Sequence, residues 1–315
     1  MKMNENQLKE ALLEIARIAS VVAQKDDTSN SNGDGSSSGI GCSIKRLPDR
    51  LQKQAASVSA QLNPANAPLL ELLTVGTPPP DSPLALTLTT AKYWGPAQRV
   101  LSVSFMDTTP ADLRARIVDH LNAWASTTSI SFAETAGTGD VRISRGRGGY
   151  WSYLGTDIKL VPQNRQTMNL EGFTMNVSEA EFRRVIRHEA GHTLGFPHEH
   201  MRRELVARID PVKAYQYFLT TQGWSKEMVD QQVLTPLNDA SIFGTPADQD
   251  SIMCYQLPGS ITHDGLSIRG GTDINATDFA FAGLVYPKWS HEQRAAANSV
   301  ADDNWDPSED VLAPV

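Results

Sequence analysis

Hydrophobic residues recur every three or four positions in several parts of the chain, which is the spacing of one helix face. The spacing predicts amphipathic helices at 4–24, 51–62, 111–126 and 211–222. A further apolar segment ends near residue 284, and Asn275 followed by Asp278 supplies a helix start signal before it. Helices are therefore expected along the whole chain.

A two-residue alternation, typical of a half-buried strand, runs through residues 99–106. Short apolar runs at 130–133, 140–144 and 158–161 predict further strands. Between them, aromatic residues alternate within a segment that glycines flank at 148, 149 and 155. Because these strands lie among the predicted helices, the pattern indicates an α+β fold.

Composition divides the chain. Residues 25–41 are rich in Asp, Ser, Asn and Gly, and four prolines lie between positions 77 and 83. The divisions predicted from these boundaries are an amphipathic N-terminal helix at 1–25, a flexible linker at 26–41, a pro-segment or extension at 42–83, the α+β domain at 84–288 and an acidic, solvated tail at 289–315.

Charge and composition exclude several functions. The net charge of −8 argues against nucleic acid as a partner. No apolar run is long enough to span a membrane, and Glu14 and Arg17 interrupt what would be a signal-peptide core. Cys42 and Cys254 are the two cysteines, so no disulfide framework is expected. The oligomeric state and the compartment stay open.

One motif carries most of the chemistry. His188, Glu189, His192, Gly195 and His198 form the pattern H-E-x-x-H-x-x-G-x-x-H. Histidines four residues apart on a helix share one face, so both imidazoles can reach one ion. The carboxylate beside the first histidine can deprotonate a water at that ion. Three protein ligands leave a fourth position open, which indicates a catalytic zinc site.

The local sequence around the motif supports this geometry. Ser178 followed by Glu181 predicts a capped helix that begins near Glu179. Gly195 falls where that helix must end, because glycine adopts the left-handed conformation at low cost. The chain can then turn back and bring His198 to the other two histidines.

The motif resembles that of the metzincin clan of zinc endopeptidases, and its continuation into Phe196 and Glu199 resembles the astacin family. A second match lies at 251–255, where Met253 and Tyr255 stand at the positions of the family's Met-turn and of its extra, switchable tyrosine ligand. The resemblance implies a twisted mixed sheet and an active-site helix over a C-terminal subdomain. It further implies that the strand at 148–155 pairs with an extended substrate.

The function implied is hydrolysis of protein or peptide substrates with one Zn²⁺. His188, His192, His198 and Tyr255 would be metal ligands, Glu189 the general base, and Tyr255 would also stabilise the oxyanion. The resemblance favours secretion, although no signal peptide is recognisable. Two alternatives stay open: a catalytically silent, zinc-stabilised peptide-binding module, and another zincin hydrolase with a downstream glutamate ligand.

The region before the domain raises a hypothesis of latency. The Cys42 thiolate could occupy the open zinc position, as in the cysteine switch of matrix metalloproteases. Asp34 is a weaker candidate, because Gly33-Asp34 matches only the end of the F-x-G-D motif of astacin pro-segments. Cys42 could instead be an inert thiol or pair with Cys254.

Overall fold

The computed structural model describes residues 42–63, 92–95, 97–237 and 247–288. The predicted N-terminal helix, the linker that carries Asp34, and the acidic tail lie outside these residues. Within the described part of the chain, no helix has both the length and the apolar character needed to cross a membrane.

A six-stranded mixed sheet forms the upper part of the molecule. Its strands are β1 Cys42–Lys45, β2 Arg99–Phe105, β3 Ile130–Glu134, β4 Val141–Ser144, β5 Tyr150–Tyr153 and β6 Met168–Leu170. Their order is β1-β5-β6-β4-β2-β3, and every neighbouring pair is parallel except β5 with β6. The central strands are buried on both faces, as expected where helices or neighbouring segments cover a parallel sheet.

The α-helices of the described chain are α1 Gln52–Leu62, α2 Ala111–Leu121, α3 Glu179–Leu194, α4 Arg203–Val206, α5 Pro211–Gln222, α6 Lys226–Val229 and α7 Ala276–Val285. Helices α2 and α3 pack together beneath the sheet. The main core lies between them and includes Trp94, Trp124, Phe182 and Tyr286, all fully buried. This core holds α3 firmly against the strands.

A second hydrophobic cluster gathers residues from after His198. It joins Leu205, Phe218 and Val233 to Cys254 and Leu257. Helix α6 continues directly into a π-helical turn, Asp230–Leu234, whose Val233 is buried in this cluster. The lower part of the molecule therefore supports the segment between the third histidine and Tyr255.

Most predicted elements are confirmed, but the strand predicted at 158–161 is wrong. Those residues belong largely to a 3-10 helix, Gly155–Leu160. Gly155 has φ 52°, and an added Cβ there would lie 2.0 Å from the carbonyl oxygen of Lys92. The Lys92 ammonium also pairs with the buried Asp157 carboxylate. These tertiary contacts with Lys92 favour the 3-10 helix over the strand that the local sequence predicts.

Two strands were missed. The strand β6 comprises only three residues, in a segment for which the sequence predicted no strand. The strand β1 lies in the region predicted as a pro-segment or extension, and it extends the sheet by pairing with β5. The segment 42–63 is thus packed onto the fold, with Leu47 and Ala55 in contact with Val161.

Candidate metal centre

Helix α3 places the first two histidines of the motif on one face. The Ser178 side chain accepts a hydrogen bond from the Glu181 amide and caps the helix start, as predicted. Gly195 ends the helix with φ 101°, and an added Cβ there would lie 2.6 Å from the Tyr93 ring. Position 195 therefore requires glycine, both for its left-handed conformation and because the Tyr93 ring leaves no room for a side chain. The change of chain direction at Gly195 brings His198 back to the helix.

The three imidazoles converge through their Nε2 atoms. The Nε2 of His198 lies 3.1 Å from that of His192 and 3.3 Å from that of His188. The Nδ1 atoms point away, 2.6 Å from the Ile252 carbonyl for His188 and 2.7 Å from the Phe196 carbonyl for His192. Nδ1–H donation to a carbonyl leaves the Nε2 lone pair free for a metal ion.

Cys42 completes the cluster. Its Sγ lies 3.5 Å from the His192 Nε2, and one ligand atom from each of Cys42, His188, His192 and His198 lies within 4.8 Å of all the others. The predicted alternative of a bond to Cys254 is wrong for this structure, because both thiols are free. Of the hypotheses that the sequence leaves open for Cys42, the structure favours the one that places it beside the histidines.

The donor set fits zinc. Tetrahedral zinc with ordinary bond lengths separates two imidazole nitrogens by about 3.3 Å and a nitrogen from a thiolate sulfur by about 3.6 Å. The observed separations are 3.1 and 3.3 Å for nitrogen pairs and 3.5 Å for sulfur with nitrogen. Three nitrogens and one sulfur at these distances match the ligands that zinc prefers.

Burial sets the protonation of these groups. It lowers the pKa of His188 to about 4 and those of His192 and His198 well below the usual value, so the imidazoles are neutral. Neutral imidazole is the form that binds zinc. Burial, with the nearby Glu189 carboxylate, raises the pKa of the Cys42 thiol. A divalent cation is the charge that would stabilise its thiolate.

Glu189 is fully buried beside this cluster, with 0% of its surface exposed. Within the described part of the chain, neither carboxylate oxygen accepts a hydrogen bond from a nitrogen or oxygen donor, and the Cys42 thiol is the polar group beside it. Burial raises its pKa to about 8, and the neighbouring Cys42 thiol and Arg184 guanidinium lower it only in part. A buried carboxyl group with so few polar neighbours is costly unless it has a ligand to bind.

Two further rings border the histidines. The Tyr255 ring centroid lies 5.4 Å from that of His198, and its hydroxyl donates to the Cys42 carbonyl at 3.1 Å. His200 is buried against both rings, with its centroid 5.0 Å from that of His198 and 5.2 Å from that of Tyr255, and its Nε2 lies 2.9 Å from the Gln232 carbonyl oxygen. His200 lies outside the four-residue cluster and holds a neighbouring segment instead.

Met253 lies against the middle of α3. An added Cβ at Gly191 would lie 2.4 Å from the Met253 sulfur, so glycine permits this approach. The preceding residues are held by Asp278, which accepts hydrogen bonds from the Ser251 hydroxyl and the Ile252 amide. Since the Ile252 carbonyl bonds to His188, these contacts link α7 to a histidine of the cluster.

The strand β1 lies next to the cluster, in the space between β5 and Gln232 that is called the cleft below. One edge of β1 pairs with β5, the aromatic strand predicted to bind extended peptides. On the other edge, the Gln232 carboxamide bonds to Ile44. Sequence reasoning missed Gln232, because nothing in its local sequence distinguishes it from Gln231 beside it.

The site geometry agrees with a family comparison. The model of the astacin family of peptidases matches residues 87–264, which is more than half of the chain. The chain belongs to the astacin family. A search of curated proteins returned no significant match.

Solved structures provide further comparisons for this astacin-family chain. One structure of myroilysin is 30% identical, with TM-score 0.60, and the match covers 64% of this chain and 98% of that one. A second myroilysin structure is 31% identical, with TM-score 0.50 and coverage of 62% and 86%. High choriolytic enzyme 1, a hatching enzyme zinc-protease from the medaka fish Oryzias latipes, is 19% identical, with TM-score 0.43 and coverage of 62% and 95%.

Membership of the astacin family confirms the predicted activity and fold class. The chain is a zinc metalloendopeptidase with a mixed α+β fold, and its substrates are peptides. The cluster of three histidines and Cys42 is the group of described residues that could bind the ion.

Proposed function

We propose that this zinc endopeptidase uses His188, His192 and His198 as permanent metal ligands and Glu189 as its general base, while Cys42 keeps it latent. The observation that carries the proposal is the placement of the fully buried Glu189 carboxyl group, whose polar neighbour is the Cys42 thiol, beside the four-ligand cluster.

Each histidine has a defined part in holding the ion. The hydrogen bonds to the Ile252 and Phe196 carbonyls orient the rings of His188 and His192, and the turn at Gly195 delivers His198. Zinc bound there supplies a Lewis acid that acidifies water and polarises a peptide carbonyl. The remaining steps belong to the side chains around it.

Glu189 moves the proton. Its carboxylate accepts a proton from the attacking water and later returns that proton to the nitrogen of the departing amine. Burial raises its pKa, which makes the carboxylate a stronger base than that of an exposed glutamate, and a bound dication would favour the ionised form that accepts the proton. A silent binding module would have no use for such a group, so the catalytic function is favoured.

Tyr255 is the proposed donor to the reacting carbonyl. Burial raises the pKa of Tyr255 well above the ordinary value. The hydroxyl therefore stays protonated and can donate a hydrogen bond. In this structure it donates to the main-chain carbonyl of Cys42. That carbonyl stands in for a substrate peptide carbonyl, which supports a role for Tyr255 in oxyanion stabilisation.

Cys42 is the proposed latency element. Its thiol occupies the fourth place of the cluster, and β1 holds the rest of the segment in the cleft. A substrate and β1 would compete for the same edge of β5. The active form therefore requires β1 to leave this position.

Casein hydrolysis by the Cys42→Ala variant of the full chain tests the proposal. Activity should be abolished by a zinc chelator and restored by added Zn²⁺. Absence of hydrolysis in this folded, zinc-loaded variant, and also in a folded, zinc-loaded variant that lacks residues 1–80 and with them β1, would overturn the assignment.

A further inference from the structure

The Gln232 side chain makes two hydrogen bonds to the main chain of one residue. Its Oε1 accepts from the Ile44 amide at 3.0 Å, and its Nε2 donates to the Ile44 carbonyl at 3.2 Å. The side chain is well enclosed, since Gln232 is only 5% exposed. A single carboxamide therefore satisfies both polar main-chain groups of a residue in the cleft.

The direction of these bonds follows from strand geometry. The N–H and C=O of one strand residue point to the same edge, and neighbouring residues alternate. Because Ile44 faces Gln232, Ser43 and Lys45 face β5, with which β1 forms a parallel ladder. The chain in the cleft is thus bound on both edges, by β5 on one side and by Gln232 on the other.

Gln232 is held in place by the wall of the metal centre. It lies in the π-helical turn Asp230–Leu234, and its carbonyl bonds to the buried His200, two residues after His198. The adjacent Val233 is buried in the second hydrophobic cluster, with Leu205 and Phe218. The position of the carboxamide is therefore fixed relative to the histidines, and π-helical turns are frequent at functional sites.

We propose that Gln232 is a substrate-binding residue, whose carboxamide binds the N–H and C=O of a peptide residue two positions from the residue at the metal centre. The proposal rests on the proposed peptidase function. Cys42 is at the metal centre and Ile44 is two residues further on, so Ile44 marks the subsite. The contact is to main chain only, so it would favour extended peptides whatever their side chains.

Two physical arguments support this role beyond holding β1. When β1 leaves, the carboxamide loses both partners, and a peptide in the same position would restore both hydrogen bonds. A carboxamide can also rotate to exchange its oxygen and nitrogen. It can therefore match a peptide bound in either chain direction, whereas a carboxylate would match only the N–H.

The test is a double-mutant cycle between enzyme and peptide. A cleavable peptide is compared with analogues in which an ester replaces one amide at a time, which removes a single N–H. The ratio of kcat/KM for amide and ester is measured in the zinc-loaded full chain carrying Cys42→Ala. Because any competition from β1 affects both peptides equally, the ratio cancels it.

We expect one ester position, two residues from the residue at the metal centre, to lower kcat/KM about threefold to tenfold through loss of the bond to Oε1. Adding Gln232→Leu should abolish this penalty, whereas Gln232→Glu, which keeps the acceptor oxygen, should retain it. Gln231→Leu, at the exposed neighbouring position, is the matched control and should leave the penalty unchanged.

An equal ester penalty with and without Gln232→Leu would overturn the assignment while leaving the peptidase function intact. If neither the Cys42→Ala parent nor a variant that lacks residues 1–80 cleaves any peptide, the proposed function and, with it, this role are overturned. Circular dichroism of each variant separates loss of binding from loss of folding.

Discussion

The Met253 sulfur packs directly against Gly191, in the space that a side chain at position 191 would occupy. A Cβ at Gly191 would lie 2.4 Å from the Met253 sulfur and 3.3 Å from the Trp124 ring. We expect Gly191→Ala to destabilise the protein by about 1–3 kcal/mol through overpacking. Urea unfolding of the metal-free protein measures the effect.

Gly283→Ala is the control for this substitution, because Gly283 also lies in a helix but an added Cβ would be 3.4 Å from its nearest neighbour. Gly283→Ala should leave the free energy of unfolding nearly unchanged. Combining Gly191→Ala with Met253→Ala should cost less than the sum of the two single changes, because the second removes the clash. If the effects of the two substitutions on the free energy of unfolding simply add, the contact between Gly191 and Met253 is not the cause of the destabilisation.

Glu189→Gln should keep zinc and lose turnover. The amide retains nearly the shape of the carboxylate but cannot accept a proton from water. In the Cys42→Ala background we expect kcat to fall about 10²- to 10⁴-fold. Peptide kinetics and metal analysis check this together. Activity within tenfold of the parent, with unchanged zinc content, would exclude Glu189 as the general base.

Tyr255→Phe should separate catalysis from metal binding. Three histidines remain, so zinc content should stay near stoichiometric, while kcat should fall more than KM rises. This is the signature of an interaction made mainly in the transition state. Kinetics in the Cys42→Ala background supply the measurement. A collapse of zinc affinity would instead identify Tyr255 as a ligand that holds the metal in place.

Cys42→Ala should raise the peptidase activity of the full chain several-fold under reducing conditions. Cys254→Ala is the matched control, because Cys254 is also a buried free thiol but lies outside the cluster. Cobalt substitution gives a second readout: a thiolate-to-metal absorption band should be present in the unmodified chain and absent from Cys42→Ala. Equal activity of all three proteins would refute latency through Cys42.

The stability of the segment before Met253 should depend on the protonation of Asp278. Burial raises its pKa to about 6, despite hydrogen bonds from Ser251, Ile252 and Asn275. A raised pKa means that the folded state binds the proton more tightly than the unfolded state does. The stabilisation from this group is therefore full below about pH 4 and is lost as the pH rises through 6.

Comparing the unmodified chain with Asp278→Asn isolates this contribution. Relative to the variant, the free energy of unfolding should fall by on the order of 1–3 kcal/mol between pH 4 and 7, measured by urea titration with chelator present. Asp264→Asn is the control, and its effect on stability should depend on pH in the opposite direction. Arg208 lowers the pKa of Asp264, so its contribution should be lost towards low pH. A pH-independent difference for Asp278→Asn would contradict the expectation.

The parts of the site that sequence predicted are those with local causes. The spacing of His188 and His192 on a helix, the caps at Ser178 and Asn275, and the turn at Gly195 each depend on a few adjacent residues. The family resemblance added Met253 and Tyr255, whose place beside the histidines no periodicity predicts.

The parts that sequence did not predict depend on distant partners. Cys42 pairs with Tyr150 across β1 and β5, and Gln232 reaches Ile44 across 188 residues of sequence. The polar Gln232 lies on a turn where exposure would be the default, and only the fold encloses it. The strand predicted at 158–161 failed for the same reason, because contacts with Lys92 decide that segment.

The occupant of the cleft belongs to the same chain and is synthesised before the groups that bind it. His192, Gln232 and Tyr255 follow their partners in β1 by 150, 188 and 213 residues. As translation proceeds from the N-terminus, β1 is already available when α3 and the lower part of the molecule fold. Its binding is unimolecular, so its effective concentration is set by the connecting chain and not by the amount of protein. If β1 inhibits as proposed, dilution alone should not release activity, because the inhibiting segment and the site belong to one molecule.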